Sequence, residues 1–300
     1  MLPFKLVYHP GYDLNLGEHV FPSRKYRLIR DRFLEEHFAE PADFIEPQPA
    51  PDADILRVHD PGWIHRLKTG TLTVKELVKL EIPYSPEMVA GFWLATGGSI
   101  LAARNALSER IGFNIGGGFH HAFPSHGEGF CAIHDVAVAI RALQHLKLIE
   151  RALIVDLDVH HGNGTAAIFA GDRSVLTLSM HQFHNYPSQK PDSIIDIHLQ
   201  DGVEDEEYLS RLGDALTVAI GFAPNLVFYL AGADPYREDQ LGGLSLTMDG
   251  LRQRDRLMFE TALSQNVPVA VVLAGGYARN TADTVTIHCN TAKAAKEALE

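Results

Sequence analysis

The run Ala152-Leu-Ile-Val-Asp-Leu-Asp-Val-His-His-Gly-Asn-Gly164 decides how this chain is read. Its first four residues make an apolar run of the kind found in strands buried on both faces of a parallel sheet. The strand then ends in two carboxylates and two imidazoles spaced by single residues. Strand alternation turns Asp156 and Asp158 to one face, with His160 next in phase. Carboxylate oxygen and imidazole nitrogen are donors that a divalent ion such as zinc accepts. The stretch is expected to supply part of a catalytic metal site. A polar strand end that caps the next helix is the competing reading.

The same grammar recurs outward from this run. Strands are expected at Phe4–Tyr8, Ile111–Ile115, Val175–Ser179, Ile194–Ile197, Leu226–Leu230 and Val269–Leu273. Helices are expected from an N-cap at Ser23 to about Phe38, with Tyr26, Ile29, Phe33 and Leu34 on one face, and over a short piece bearing Trp63, Ile64 and Leu67. Further helices are expected at Pro86–Leu107, Cys131–Leu148, Gly162–Phe169, Glu204–Ile220 and Thr247–Gln265, with a closing helix from about Thr281. Gly97 and Gly98 each cost about 1 kcal/mol of helix propensity, so close helix packing is expected there. The proline-rich segment from Pro41 to Pro51 reads as a surface connection. His59 and His65 lack an acidic or cysteine partner at metal spacing and read as structural. Strands alternating with helices imply one α/β domain over 1–300, with a mostly parallel sheet and helices on both faces. Ligands of such sheets bind beyond the carboxyl ends of the strands. His120 and His121, the Asp156 group, Asp234 and Tyr277 each follow a different strand.

Bulk properties narrow the function. The chain has 300 residues, is 46% hydrophobic and carries a net charge of -12. That balance argues against a nucleic-acid partner and against anionic membranes. Two cysteines, Cys131 and Cys289, allow neither a disulfide framework nor a four-cysteine zinc module. Without a signal-peptide pattern or an apolar run of membrane-spanning length, a cytoplasmic location is expected.

A catalytic zinc keeps three protein ligands and one open position. Asp158 and His160 offer two ligands, and Asp234, isolated among glycine and alanine after another apolar strand, is the natural third. A water held there would turn nucleophilic near neutral pH. One of His120 and His121 can act as general base and then acid, while Asp156 holds the other. Tyr277 can donate its hydroxyl to an acyl oxygen that gains charge. Taken singly, these side chains also suit capping, surface or packing roles.

Gly116-Gly-Gly-Phe-His-His-Ala122, Glu128-Gly-Phe-Cys-Ala132, Asp156–Gly164, Ala231-Gly-Ala-Asp234, Leu241-Gly-Gly-Leu-Ser245 and Gly275-Gly-Tyr277 together resemble the zinc-dependent histone deacetylase family. The matches run in family order over nearly the whole chain, and the Gly-Asn-Gly and Leu-Gly-Gly-Leu-Ser segments resemble its class IV branch most. The resemblance implies an arginase/deacetylase-type fold around an eight-stranded, mostly parallel sheet. It implies hydrolysis of acyl-lysine or a related acylated amine. Asp158, His160 and Asp234 match zinc ligands, a set that iron can also occupy. His121 matches the general base and acid, His120 its companion paired to Asp156, and Tyr277 the carbonyl-polarising tyrosine. Phe130 and Tyr186 match the walls of the acyl-lysine tunnel, with Gly129, Gly275 and Gly276 at the substrate. Backbone oxygens of Asp156, Asp158 and His160, with Ser179 and Met180, match a structural potassium site. Cys131 sits beside the tunnel wall as a buried thiol. Asn163 departs from the aspartate that most of the family places beside the second histidine. A binuclear ureohydrolase would need Asp-x-His-x-Asp and a second carboxylate near Asp234. A deacetylase of acetylpolyamines, and a catalytically weak acyl-lysine binding module, stay open as alternatives. The physiological substrate and the oligomeric state are not readable from the chain.

Overall fold

Every apolar run expected to be a buried strand forms one in the computed structural model, which describes residues 1–300. In chain order the elements are β1 (Leu6–Val7), α1 (Lys25–Glu35), β2 (Phe44–Ile45), α2 (Asp52–Ile55), α3 (Pro61–Thr69), α4 (Val74–Leu80), α5 (Pro86–Glu109), β3 (Ile111–Asn114) and α6 (Asp135–His145). There follow β4 (Ala152–Asp156), α7 (Asn163–Ile168), β5 (Val175–Gln182), β6 (Ile195–Leu199), α8 (Asp205–Ile220), β7 (Leu226–Leu230), α9 (Met248–Ser264), β8 (Val269–Val272) and α10 (Thr281–Glu297). The eight strands form one sheet in the order β2-β1-β3-β8-β7-β4-β5-β6, and every pairing is parallel.

The four central strands, β3, β8, β7 and β4, are buried along their whole length. Alternation divides their side chains between two cores. Ile154, Phe228 and Ala270 pack with Ala103 and Ala106 of α5 and Val136 and Ile140 of α6. Val155, Tyr229 and Val271 belong to the other core, with Tyr208 and Leu212 of α8 and Met258 and Phe259 of α9. No helix is long and apolar enough to cross a membrane.

The glycine pair in α5 does serve close packing, but against a loop and the Tyr12 side chain rather than another helix. A Cβ on Gly97 would lie 1.9 Å from the Gln48 carbonyl oxygen, and one on Gly98 would lie 1.9 Å from the Tyr12 hydroxyl. The proline-rich segment thus packs on α5, and within it Phe44–Ile45 adds an edge strand to β1, which corrects its reading as connection alone. Ser23 does not cap α1. Its hydroxyl donates to Asp13 Oδ1 at 2.7 Å and accepts from the Leu14 amide, and the helix begins two residues later. The helix expected from Cys131 begins at Asp135 and ends at His145. Cys131 lies in the preceding loop, because the Asp135 carboxylate is drawn into accepting from the amides of Gly118 and Phe119. α4 goes beyond the expected elements, and its start is a Thr73–Glu76 capping box. β5 extends to Gln182, which places His181 in the sheet and not in the loop expected after Ser179.

The buried His59 is held neutral by a backbone donor. His59 Nε2 accepts from the His134 amide at 2.9 Å, so its proton sits on Nδ1 and faces the Phe123 carbonyl at 3.1 Å. Burial, against weaker opposition from the Phe123 and Pro124 backbone, pushes the His59 imidazole down to about 4. Because the folded value lies below the unfolded one, the unfolded chain takes up the extra proton as pH falls. Stability therefore drops as pH falls from about 6.5 toward 4. We expect about 2 kcal/mol less stability at pH 5 than at pH 7 from this residue. Thermal melts across that range should show a shallower acid slope for His59→Gln than for the wild type, and equal slopes would refute the assignment.

Candidate active site

Because all strands run parallel and β3, β8, β7 and β4 are neighbours, the loops leaving their carboxyl ends converge. They carry His120 and His121, Gly275 to Tyr277, Asp234, and Asp156 to His160. One ligand atom from each of Asp158, His160 and Asp234 lies within 4.8 Å of the others, and all three residues are buried. His160 Nδ1 is 2.9 Å from Asp158 Oδ1 and 3.4 Å from Asp234 Oδ2. Backbone amides hold the carboxylates from behind. Gly275 N donates to Asp158 Oδ2 at 2.7 Å, His160 N to Asp158 Oδ1 at 3.0 Å, and Val159 N to Asp234 Oδ1 at 2.9 Å. Asp234 Oδ2 is buried without a hydrogen bond. Burial, reinforced by the neighbouring Asp158 charge, pushes the Asp234 carboxyl up. A Cβ on Gly275 would fall 1.9 Å from Asp234 Oδ2 and 2.6 Å from Asp158 Oδ2, so only glycine leaves the trio its space.

The adjacent histidines have different supports. His120 Nδ1 donates to Asp156 Oδ2 at 2.6 Å, and Asp156 is itself buried. Burial opposes charge on His120, but the carboxylates of Asp156 and Asp158 outweigh it and hold the imidazole at about 9. His121 Nδ1 donates to Asn163 Oδ1 at 2.7 Å, which leaves Nε2 without its proton. Burial, then the charges of His120 and His160, push His121 well down. Sequence reasoning stopped at Asn163. The structure continues: Asn163 Nδ2 donates to Glu128 Oε1 at 2.8 Å, and Lys79 Nζ donates to Glu128 Oε2 at 3.1 Å. Hydrogen bonds, that from His126 first, push the Glu128 carboxyl down to about 2. The asparagine thus joins an imidazole donor to a carboxylate acceptor, which an aspartate in its place could not do.

A narrow slot of about 20 Å³ lies above this group, lined by Phe21, Gly129, Phe130, Cys131, Gly275 and Tyr277 among others. Phe21 and Phe130 stack with centroids 6.1 Å apart and planes 3° from parallel. Tyr277 stands edge-on to both and lies 6.2 Å from the His160 ring. Tyr186, the expected partner wall, lies across Gly129, edge-on to His121 at 4.9 Å. Gly276 is turned away, and a Cβ there would meet Thr284 and Ala233. Asp156 and Ser179 are register partners on β4 and β5, with Met180 next in line. Cys131 is buried, and burial pushes its thiol well up.

Three residues here carry roles that the sequence did not assign them. Phe21 comes from a loop far from the motifs. Glu128 is hidden beside a glycine in the Phe130 loop. Lys25, buried on α1, donates to the carbonyls of Ala274 and Gly275 at 2.8 and 3.1 Å and so braces the loop that carries Tyr277. Its one sequence signal is a cation beside the apolar stripe of Tyr26, Ile29 and Phe33.

The Asn163 bridge makes a specific stability prediction. Asn163→Asp sets a carboxylate against Glu128 and should destabilise the fold by about 1–3 kcal/mol. Adding Glu128→Gln restores a donor and should recover most of that loss in denaturant titrations. A double variant no more stable than Asn163→Asp alone would contradict the bridge.

Comparison with known proteins follows the same lines. A histone deacetylase domain model matches residues 19–292. The chain is 42% identical to an uncharacterized protein of Picosynechococcus sp. over 98% of this chain and 99% of that one. It is 32% identical to histone deacetylase 2 of Arabidopsis thaliana over 93% of this chain and 76% of the other. Its fold is similar to that of an acetylpolyamine aminohydrolase from Burkholderia pseudomallei, with a TM-score of 0.81 at 19% identity, over 97% of this chain and 98% of that one.

Proposed function

The chain belongs to the histone deacetylase family and is a deacetylase, and within that activity we propose a metal-dependent amidohydrolase that removes an acyl group from acyl-lysine. The supporting observation is the buried trio Asp158, His160 and Asp234, whose Asp158 lines an aromatic slot together with the histidine pair and Tyr277. The trio suits a divalent ion. Two carboxylates and an imidazole converge, one carboxylate oxygen has no partner, and Gly275 clears the space they surround. Asp158, His160 and Asp234 would hold zinc, or iron in its stead. Such an ion supplies Lewis acidity, which polarises an acyl carbonyl and lowers the pKa of water.

The chain's own groups do the rest. Phe21, Phe130 and Tyr277 give the approach to the trio an aromatic lining suited to an aliphatic stem. With Nδ1 committed to Asn163, His121 offers Nε2 to accept a proton from water and return it to the departing amine. Asp156 orients His120 and balances its charge beside Asp158. Tyr277, fixed at its amide by Asp239 Oδ2 at 2.6 Å, donates its hydroxyl to the acyl oxygen as negative charge develops there. Backbone oxygens of Asp156, Asp158 and His160, with Ser179 and Met180, would take a potassium ion beside the trio. Residues 1–300 would form one catalytic domain, which Gly162–Gly164 and Leu241–Ser245 assign to the class IV branch in this reading.

The test is a deacylation panel of acetyl-lysine peptides, long-chain acyl-lysine peptides and acetylpolyamines, each with and without chelator. Chelator-sensitive turnover of a lysine peptide supports the proposal. Turnover confined to polyamines, or indifferent to chelation, overturns it. Tyr277→Phe should lower kcat/KM by about 2–4 kcal/mol of transition-state stabilisation with metal content unchanged. Unaltered turnover in that variant removes Tyr277 from the mechanism.

A further inference from the structure

His161 has no part in the chemistry above, although it follows His160 directly and is wholly buried. Its ring turns toward β5 and β6, where it meets His181 edge-on at 4.6 Å. His161 Nε2 lies 3.3 Å from Asp196 Oδ1 on β6. One ligand atom each of His161, His181 and Asp196 falls within 4.8 Å of the other two. His198, two residues along β6, brings Nδ1 to 2.9 Å from His181 Nε2. The group therefore joins three imidazoles and a carboxylate from three neighbouring chain segments.

Internal hydrogen bonds satisfy this group only in part. His181 Nδ1 is engaged by the Ser179 hydroxyl at 2.9 Å, so its inward atom Nε2 is the one shared with His198, and the Ser193 hydroxyl lies 3.4 Å from His161 Nε2. Asp196 Oδ2 accepts from the Ser193 amide at 2.8 Å. Asp196 Oδ1 and His161 Nδ1 are both buried without a hydrogen bond, and unpaired buried polar atoms are costly. A surface pocket of about 770 Å³ reaches the cluster, with Asp196 and His198 in its wall beside His184 and Asp192. His161 and His181 are thus buried, while the half-buried Asp196 and the exposed His198 open the group to one side.

We propose that His161, His181 and Asp196 form a second divalent-metal site, separate from the Asp158 trio, with His198 as its fourth donor. Two or three imidazoles with one carboxylate are a donor set suited to zinc and neighbouring transition metals. A closed set of four protein donors is the pattern of a structural zinc rather than a catalytic one. The ion would tie the loop after β4 to β5 and to the edge strand β6. It would also brace the 183–194 segment, which holds Tyr186 against His121.

Zinc stoichiometry tests this on the full chain without an affinity tag. The protein is stripped with chelator, reloaded with Zn2+, passed through a desalting column and counted by native mass spectrometry. The wild type should hold two zinc ions per chain. Asp196→Asn and His198→Gln, both at the pocket wall, should hold one tightly and bind the second at least tenfold more weakly. Asp234→Asn should keep the ion at Asp196 and lose the other, so failure of the catalytic assignment shows separately. Zinc should also raise the melting temperature less in Asp196→Asn than in the wild type. One zinc per wild-type chain, or a second ion held as tightly in both pocket-wall variants, overturns the proposal.

Discussion

Two like-charged carboxylates held together in a dry interior are the constraint on which this structure turns. Asp158 and Asp234 lie in a region where an unpaired charge costs several kcal/mol. The fold compensates from every side. Three backbone amides point at their oxygens. His160 stands between them, and the Lys25 ammonium lies behind the Gly275 loop. A wholly parallel sheet is what lets four loops meet at one point, since only then do neighbouring strands end on the same side.

Buried side chains fix the irregular loops that regular hydrogen bonding cannot. Asp135 accepts from the amides of Gly118 and Phe119, just before the histidine pair. Asp239 accepts from the amides of Tyr277, Leu241 and Gly242. Arg254, paired to Asp255, donates to the Gly232 carbonyl at 2.6 Å, beside the Cα of Asp158. Each support comes from a helix or loop outside the sheet, so the site rests on the outer layers as much as on the strands. His120 and His121 show the effect on chemistry. They are adjacent in sequence, but one meets a carboxylate and the other an amide oxygen, and their proton affinities are driven apart.

What could be read from the sequence followed the range of the interaction. Apolar runs marked the central strands because burial on both faces leaves a local signature. The Asp-x-Asp-x-His and His-His groups stood out because polar residues at the ends of such strands are unusual, and the structure does bring them together. Interactions set by distant partners left no such trace. Ser23 suits an N-cap by type, yet Asp13 claims its hydroxyl. Phe44–Ile45 is too short to show periodicity and becomes a strand only by pairing with β1. Phe21 faces Phe130 across 109 residues of chain, and Glu128 gains its role only where Asn163 reaches it. His161 looked like a bystander until β5 and β6 placed His181 and Asp196 beside it.

The position of β8 bears on how the protein matures in the cell. This strand lies between β3 and β7, though it is synthesised well after both. The amide of Gly275 that holds Asp158, and the carbonyls of Ala274 and Gly275 that Lys25 clasps, come with it. A nascent chain that has left the ribosome only as far as Asp234 already carries all three donors of the trio. It lacks the clamp that orders them and faces an open gap in its sheet. Contacts of such long sequence separation form late. The trio is therefore ordered only once β8 has been made and inserted, and a chain interrupted before β8 exposes two unpaired strand edges to its neighbours.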